Sequence, residues 1–199
     1  MIEVAPMRAD ERRAVARMYG DAFVDDPGWI GVGPNGRERR RNYARRICGG
    51  EVWAARRVGG EILVARDEGV PTAACVYYPP DANSLSLRIT FAEVPGAAIA
   101  GPAVVVRSLI ADARLGAGHP DEPHLFVSLL AAHPDHQRGG RGRALLNTAI
   151  AEAERLGVPT YLDTANPANV PYYRSFGFRE TGEAPLPRGA NLWYLLRAL

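Results

Sequence analysis

The sequence predicts an α/β chain built on a central mixed β-sheet flanked by helices, and three observations carry that expectation. The first is a strand, a glycine-rich loop and a helix in succession: Leu125–Ala132, then residues 137–143, then apolar positions Leu145, Leu146, Ala149, Ile150, Ala153 and Leu156. That spacing draws one apolar stripe along a helix. The second is a pair of apolar runs, Glu61–Asp67 and Val70–Tyr78, joined at Asp67-Glu68-Gly69, a turn signal that favours an antiparallel hairpin. The third is a further strand over residues 159–164, which completes a parallel β-α-β unit with Leu125–Ala132.

Residues 2–7 read as the first strand and residues 9–23 as a helix, with Ala14, Val15, Met18, Tyr19, Ala22 and Phe23 at helical spacing. Asp25-Asp26-Pro27-Gly28 ends that helix, and a glycine-rich loop leads to an arginine-bearing helix over residues 36–47. Its run of Arg37, Arg39, Arg40, Arg41, Arg45 and Arg46 reads as a solvated face rather than an anion or partner site. After the hairpin, residues 91–115 are rich in Ala, Val and Ile, and Gly101-Pro102 breaks or kinks any helix there. A loop over residues 116–123 leads into the central strand, where Phe126, Val127, Leu129 and Leu130 form the nearly continuous apolar run of a strand covered on both faces. Pro134 and Asp135 stop this strand, and Gly157 stops the next helix. Residues 166–178 read as a short helix capped at Asn169 and ended at Gly177, and residues 178–183 and Asn191–Arg197 as a closing strand pair. No linker or repeat interrupts the chain, so residues 1–199 are expected to form one domain.

Composition narrows the function classes. No apolar run reaches the roughly 20 residues of a membrane helix, and the first residues contain no apolar leader, so a cytosolic protein without a membrane partner is expected. The net charge is only +2 and all 24 basic residues are arginine, which points away from a nucleic-acid partner. Cys48 and Cys75 offer neither a disulfide framework nor metal-ligand spacing, so buried reduced thiols and no metal are expected. A monomer and a homodimer are both compatible with the sequence.

A glycine-rich loop between a buried strand and a helix N-terminus turns several N–H groups toward one point and forms a phosphate cradle. A Walker A loop needs lysine, and the chain has none. The dinucleotide fingerprint needs a third glycine, but Gly140-Arg141-Gly142 is followed three residues later by Leu145. The pattern that fits is Q-x-x-G-x-G, at Gln137, Gly140 and Gly142, preceded by His133-Pro134-Asp135. It is followed by Y-x-x-x-G-F at Tyr173, Gly177 and Phe178.

These two ordered motifs resemble the GNAT N-acetyltransferase superfamily. The last 80 or so residues look most like its puromycin N-acetyltransferase branch, through PDHQ, EAERLGVP, the N-x-P-Y-Y at residues 169–173 and the late Trp193. The resemblance implies acetyl-CoA as co-substrate and a GNAT fold whose splayed strands form the cleft for it. The strand end at Leu130, Ala131 and Ala132 would part from the strand at residues 161–163 and receive the pantetheine arm, with Asn169 hydrogen-bonding that arm. Gln137 belongs to the loop motif, and the amides of Arg138, Gly139, Gly140, Arg141, Gly142 and Arg143 would bind the pyrophosphate, with arginine side chains adding charge-assisted contacts. Ala131 and Ala132 stand where the family often has Gly and Val, and an amide there would polarise the thioester carbonyl.

In the reaction the resemblance implies, an amine attacks the acetyl carbon and sulfur leaves as a thiolate. Tyr173 is the candidate general acid, set against a plain core role. An ammonium near pKa 10 needs a proton acceptor, and Asp163 at the end of its strand is the candidate, set against a structural role. His124, His133 and His136 read as structural or surface residues, and Trp193 and Tyr194 as core or pocket wall. The expected acceptor is the primary amine of a small molecule, an antibiotic or metabolite. A protein or peptide amine, or a silent acyl-CoA-binding module, are the alternatives.

Overall fold

In the computed structural model, which describes residues 2–82 and 97–199, seven strands form one sheet in the order β1-β2-β3-β4-β5-β7-β6. They are β1 (Glu3–Pro6), β2 (Glu61–Asp67), β3 (Val70–Tyr78), β4 (Leu125–Ala132), β5 (Thr160–Thr164), β6 (Arg179–Pro185) and β7 (Asn191–Arg197). Every pairing is antiparallel except β4 with β5, so the sheet is mixed as the sequence predicts. The helices are α1 (Arg12–Phe23), α2 (Pro27–Val32), α3 (Arg37–Ala54), α4 (Pro102–Ala117), α5 (Arg141–Leu156) and α6 (Val170–Arg174).

One face of the sheet carries α5, whose Leu145, Leu146, Ala149, Ile150 and Ala153 pack with Leu125, Val127, Leu162 and Tyr173. The other face carries α1 and α3, with Val15, Tyr19, Cys48 and Val52 against Ile62, Val76, Tyr78 and Leu129. Because β4 is buried between the two layers, its apolar run is continuous. Both cysteines are buried and free, and burial pushes the Cys75 thiol up to about 12. No described helix is long and apolar enough to cross a membrane.

Three expectations change. Asp26-Pro27-Gly28 begins a helix rather than only ending one, because the Asp26 carboxylate accepts from the Gly28 N–H at 2.9 Å and Pro27 occupies the first helical position. The arginine-bearing helix runs to Ala54, past the boundary expected at residue 47 and through Gly49-Gly50. A Cβ on Gly49 would sit 3.2 Å from that of Ala16, and one on Gly20 would sit 2.9 Å from Arg45, so close helix packing outweighs the helix cost of glycine. Asn169 occupies the N-cap position of α6 but its side chain makes no capping bond; the side-chain cap belongs to Asn166, which opens the preceding 3₁₀ turn Pro167–Asn169 and accepts from Ala168 N–H at 3.0 Å. The Gly101-Pro102 break stands: Pro102 opens α4. Residues 91–96 of that expected segment lie outside the described residues. Part of the arginine run pins helices together, since Arg37 grips Asp25 at 2.8 Å and Arg41 lies 2.9 Å from Asp21.

Candidate active site

The β4–β5 ladder is short. It pairs Leu125 with Thr160, Phe126 with Tyr161 and Val127 with Leu162, and then stops, although β4 runs on to Ala132 and β5 to Thr164. The register of β4 against β3 shifts at this point, from Val76 opposite Leu129 to Tyr77 opposite Val127, leaving Ser128 as the extra residue of a bulge. A bulge increases local twist and bends its strand. The two parallel strands therefore part, and on the β5 side the alternate backbone groups of residues 128–132 have no strand partner. Leu130, Ala131 and Ala132 line this open edge, where the family resemblance implies that the strands part.

Past β4, the 3₁₀ turn Pro134–His136 and the glycine loop deliver the chain to α5. The first α5 bond runs from Ala144 N–H to the Gly140 carbonyl at 2.9 Å, while Gln137 N–H points back to Pro134 at 3.4 Å. Among the described residues, the six amides from Arg138 to Arg143 between them donate to no backbone carbonyl. Six free N–H groups at the positive end of a 16-residue helix suit a diphosphate. Gly140 sits at φ 80°, and Arg138 at φ 62°. A Cβ on Gly140 would meet nothing nearer than 3.9 Å, so this glycine is required by its left-handed backbone rather than by crowding. At Gly139 and Gly142 space decides instead: a Cβ would fall 2.2 Å from the Arg141 guanidinium and 3.2 Å from the Tyr172 hydroxyl.

The loop arginines divide their work. Arg141 turns back toward the hairpin, donating to Thr72 Oγ1 at 3.1 Å and pairing with Asp67, so it braces the loop. Arg143 lies over the Phe176 ring at 4.8 Å. Arg138 makes no hydrogen bond or ion pair among the described residues, which leaves it available to an anion. Gln137 only reaches the Ala132 carbonyl, at 3.5 Å. Asn169 sits at the end of β5 with its amide 3.4 Å from Thr164 Oγ1.

Tyr173 is buried on the α5 side of the gap, against Phe178, and its hydroxyl bonds to no described group. Burial, with nearby Tyr172, Cys75, Asp163 and Asp26, holds its phenol protonated well above the usual range. Asp163 projects from the other face of β5, beside Tyr161 in the same alternation. Its Oδ2 is buried without a hydrogen bond, and burial, then the Glu51 carboxylate, push it up to about 7.

Sequence reasoning missed Glu51. On α3, Glu51 lies 7% exposed with Tyr78 and Ser128 donating to its Oε1 at 3.2 and 2.5 Å. The available signal was a carboxylate on the apolar stripe of α3, between Cys48 and Val52, in a stretch read as lying beyond the helix. Also missed was Asp26, which caps α2 where Gly28 abuts Ala165 at the end of β5. His124 bonds to His119 at 3.1 Å, and both rings pack on Tyr161 near the start of β5. His133 and His136 stay at the loop surface.

A free-amide loop beside a parted parallel strand pair has the geometry to receive a diphosphate and an extended arm. The chain belongs to the acetyltransferase (GNAT) family, whose model matches residues 32–178. Over 63 residues it is 44% identical to the ribosomal protein bS18-alanine N-acetyltransferase of Escherichia coli, a match covering 30% of this chain and only 41% of that relative. A Corynebacterium glutamicum structure described as histone acetyltransferase HPA2 and related acetyltransferase superposes with a TM-score of 0.76 at 23% identity, covering 99% of this chain and 96% of its own. PaiA N-acetyltransferase of Thermoplasma acidophilum, solved with coenzyme A, gives 0.60 at 10% identity over 100% and 99%. These relatives support the family and not the puromycin N-acetyltransferase branch.

Proposed function

We propose that the protein is an N-acetyltransferase that takes the acetyl group of acetyl-CoA and transfers it to the primary amine of a small molecule. The observation that carries this reading is the alignment of three features along one gap: six free amides, the unpaired edge of β4 and the unbonded Tyr173 hydroxyl. Bound there, the cofactor supplies a thioester. The amides of residues 138–143 and the Arg138 side chain hold its diphosphate, and the open edge at Leu130, Ala131 and Ala132 holds its arm and the acetyl oxygen. Asn169 stands where it can donate to the same arm. Tyr173, kept protonated by burial, gives its proton to the departing sulfur. Asp163 faces the amine side.

A small acceptor is supported by α2, which covers the acceptor end: Gly28 abuts Ala165, and the β6–β7 turn clamps α2 through Arg188 bonds to the Ile30 and Gly33 carbonyls, each at 3.2 Å. A second reading, the amino-terminal alanine of a ribosomal protein, is favoured by the Escherichia coli relative. A panel of 2-phenylethylamine, putrescine and an alanine-starting peptide, followed by release of free thiol from acetyl-CoA, separates the two. Turnover of the peptide alone would replace the first reading with the second. In the same assay, Tyr173→Phe is expected to lower the rate about 100-fold while calorimetry shows unchanged acetyl-CoA affinity.

A further inference from the structure

The amine side of the gap is polar and aromatic. From α1, Tyr19 brings a fully buried hydroxyl with no partner; from β5, Tyr161 brings another, together with Asp163 Oδ2; His119 Nε2 is likewise buried and unbonded. Such groups are seldom left unpaired in a finished interior, and they are common where a ligand or its waters complete the bonding. Ring contacts tie the group together: His119 to Tyr161 at 4.7 Å, Tyr161 to Phe126 at 5.7 Å, and Phe126 to Tyr78 at 6.2 Å. At the end of that line stands Glu51.

Two carboxylates thus flank the parted strands, and their surroundings differ. Glu51 receives two hydroxyl hydrogen bonds on Oε1, one from Ser128 at the bulge, and no described group bonds to Oε2. Asp163 Oδ2 receives none. Donated hydrogen bonds favour the anion, and two neighbouring carboxylates in one buried region do not both ionise easily. Among the described residues, the groups facing Glu51 are Tyr19 from α1, Tyr78 from β3, Ser128 from β4 and Asp163 from β5, and none of these is a cation.

We propose that Glu51 is the proton acceptor for the incoming ammonium, through Oε2, and that Asp163 lines the opposite side of the gap. This rests on the acetyl-transfer reading above. The amide that forms has lost two of the three ammonium protons. One goes to Glu51; the other leaves as the nitrogen–carbon bond forms and the carbon–sulfur bond breaks, and through solvent it replaces the proton that Tyr173 gave to sulfur. Burial raises the Glu51 carboxyl above its ordinary range, the direction that makes a carboxylate a stronger base.

The test uses the whole chain, acetyl-CoA and the same amine panel. Glu51→Gln should lower kcat/KM at pH 7 by about 100-fold or more with acetyl-CoA affinity unchanged, and should abolish the acidic limb of the pH profile. Tyr78→Phe removes one donor to the carboxylate, so the acidic limb should move to higher pH, a shift that a merely structural tyrosine would not cause. Wild-type rates in Glu51→Gln, or an unmoved limb in Tyr78→Phe, overturn the assignment while acetyl transfer itself stands. If the unaltered protein binds acetyl-CoA and acetylates no amine, the acetyl-transfer reading fails and the role of Glu51 falls with it.

Discussion

Two sets of buried carboxylates sit on the same face of this sheet and have opposite fates. At the β1–β2 edge, Glu11 is 6% exposed and gripped by Arg66, itself 2% exposed, through bonds of 2.7 and 2.6 Å, while the Arg8 N–H donates at 2.7 Å. The Arg66 guanidinium holds the Glu11 carboxyl down to about 2, against the push of burial. At the β4–β5 gap, Glu51 accepts from two hydroxyls and Asp163 Oδ2 from none, no cation faces either among the described residues, and both carboxyls rise. The difference separates a carboxylate whose partners are complete within the fold from carboxylates that await one. A buried charge that is fully paired serves the architecture, and one left poised near neutrality suits proton transfer.

Breaking the complete pair should cost the most stability. Arg66→Met leaves buried Glu11 with only the more exposed Arg8 guanidinium, at 2.9 Å, as a charge partner, and denaturant unfolding at pH 7 should show a loss of about 3 kcal/mol, the lower end of the cost of breaking a buried pair. The two regions should also respond to pH with opposite sign. Glu11 has a lowered folded value, so its contribution is present above its unfolded value of 4.5 and is lost as pH falls toward about 2. Asp163 has a raised folded value, so its burial weakens the fold progressively as pH rises from 3.8 to about 7. Asp163→Asn should therefore stabilise the protein at pH 8 by about 2 kcal/mol and have almost no effect at pH 4, read from melting curves at the two pH values. The smallest change sharpens the loop rather than the carboxylates. Gly140→Ala forces a side chain into φ 80° without a clash, so CoA affinity by calorimetry should fall roughly tenfold, from backbone strain of about 1–2 kcal/mol.

Much of this site was legible in residue order because its parts are local. The free amides of residues 138–143 follow from a glycine run between a buried strand and a helix start, and the hairpin, β4, β7 and the Gly157 stop follow from apolar runs and turn residues. The mixed sheet was expected on the same basis, and the parted edge at Ala131 only through the resemblance to the GNAT superfamily. Boundaries that depend on packing were not legible. The helix expected over residues 36–47 continues through Gly49-Gly50, where α1 lies against it. Pro27-Gly28 reads as a terminator until Asp26 turns its side chain over the next helix.

By itself, the sequence determined the strand, glycine loop and helix start that form the candidate anion-binding half of the site, and the resemblance to the family, since these elements are neighbours along the chain. Only the tertiary structure decided the proton-handling half. Glu51, Ser128 and Asp163 lie on α3, β4 and β5, separated by 77 residues from Glu51 to Ser128, and meet because a bulge in β4 and the end of the β4–β5 ladder open the sheet at one point. Burial set their proton affinities there, and burial is a property of the assembled layers, not of any local run of residues.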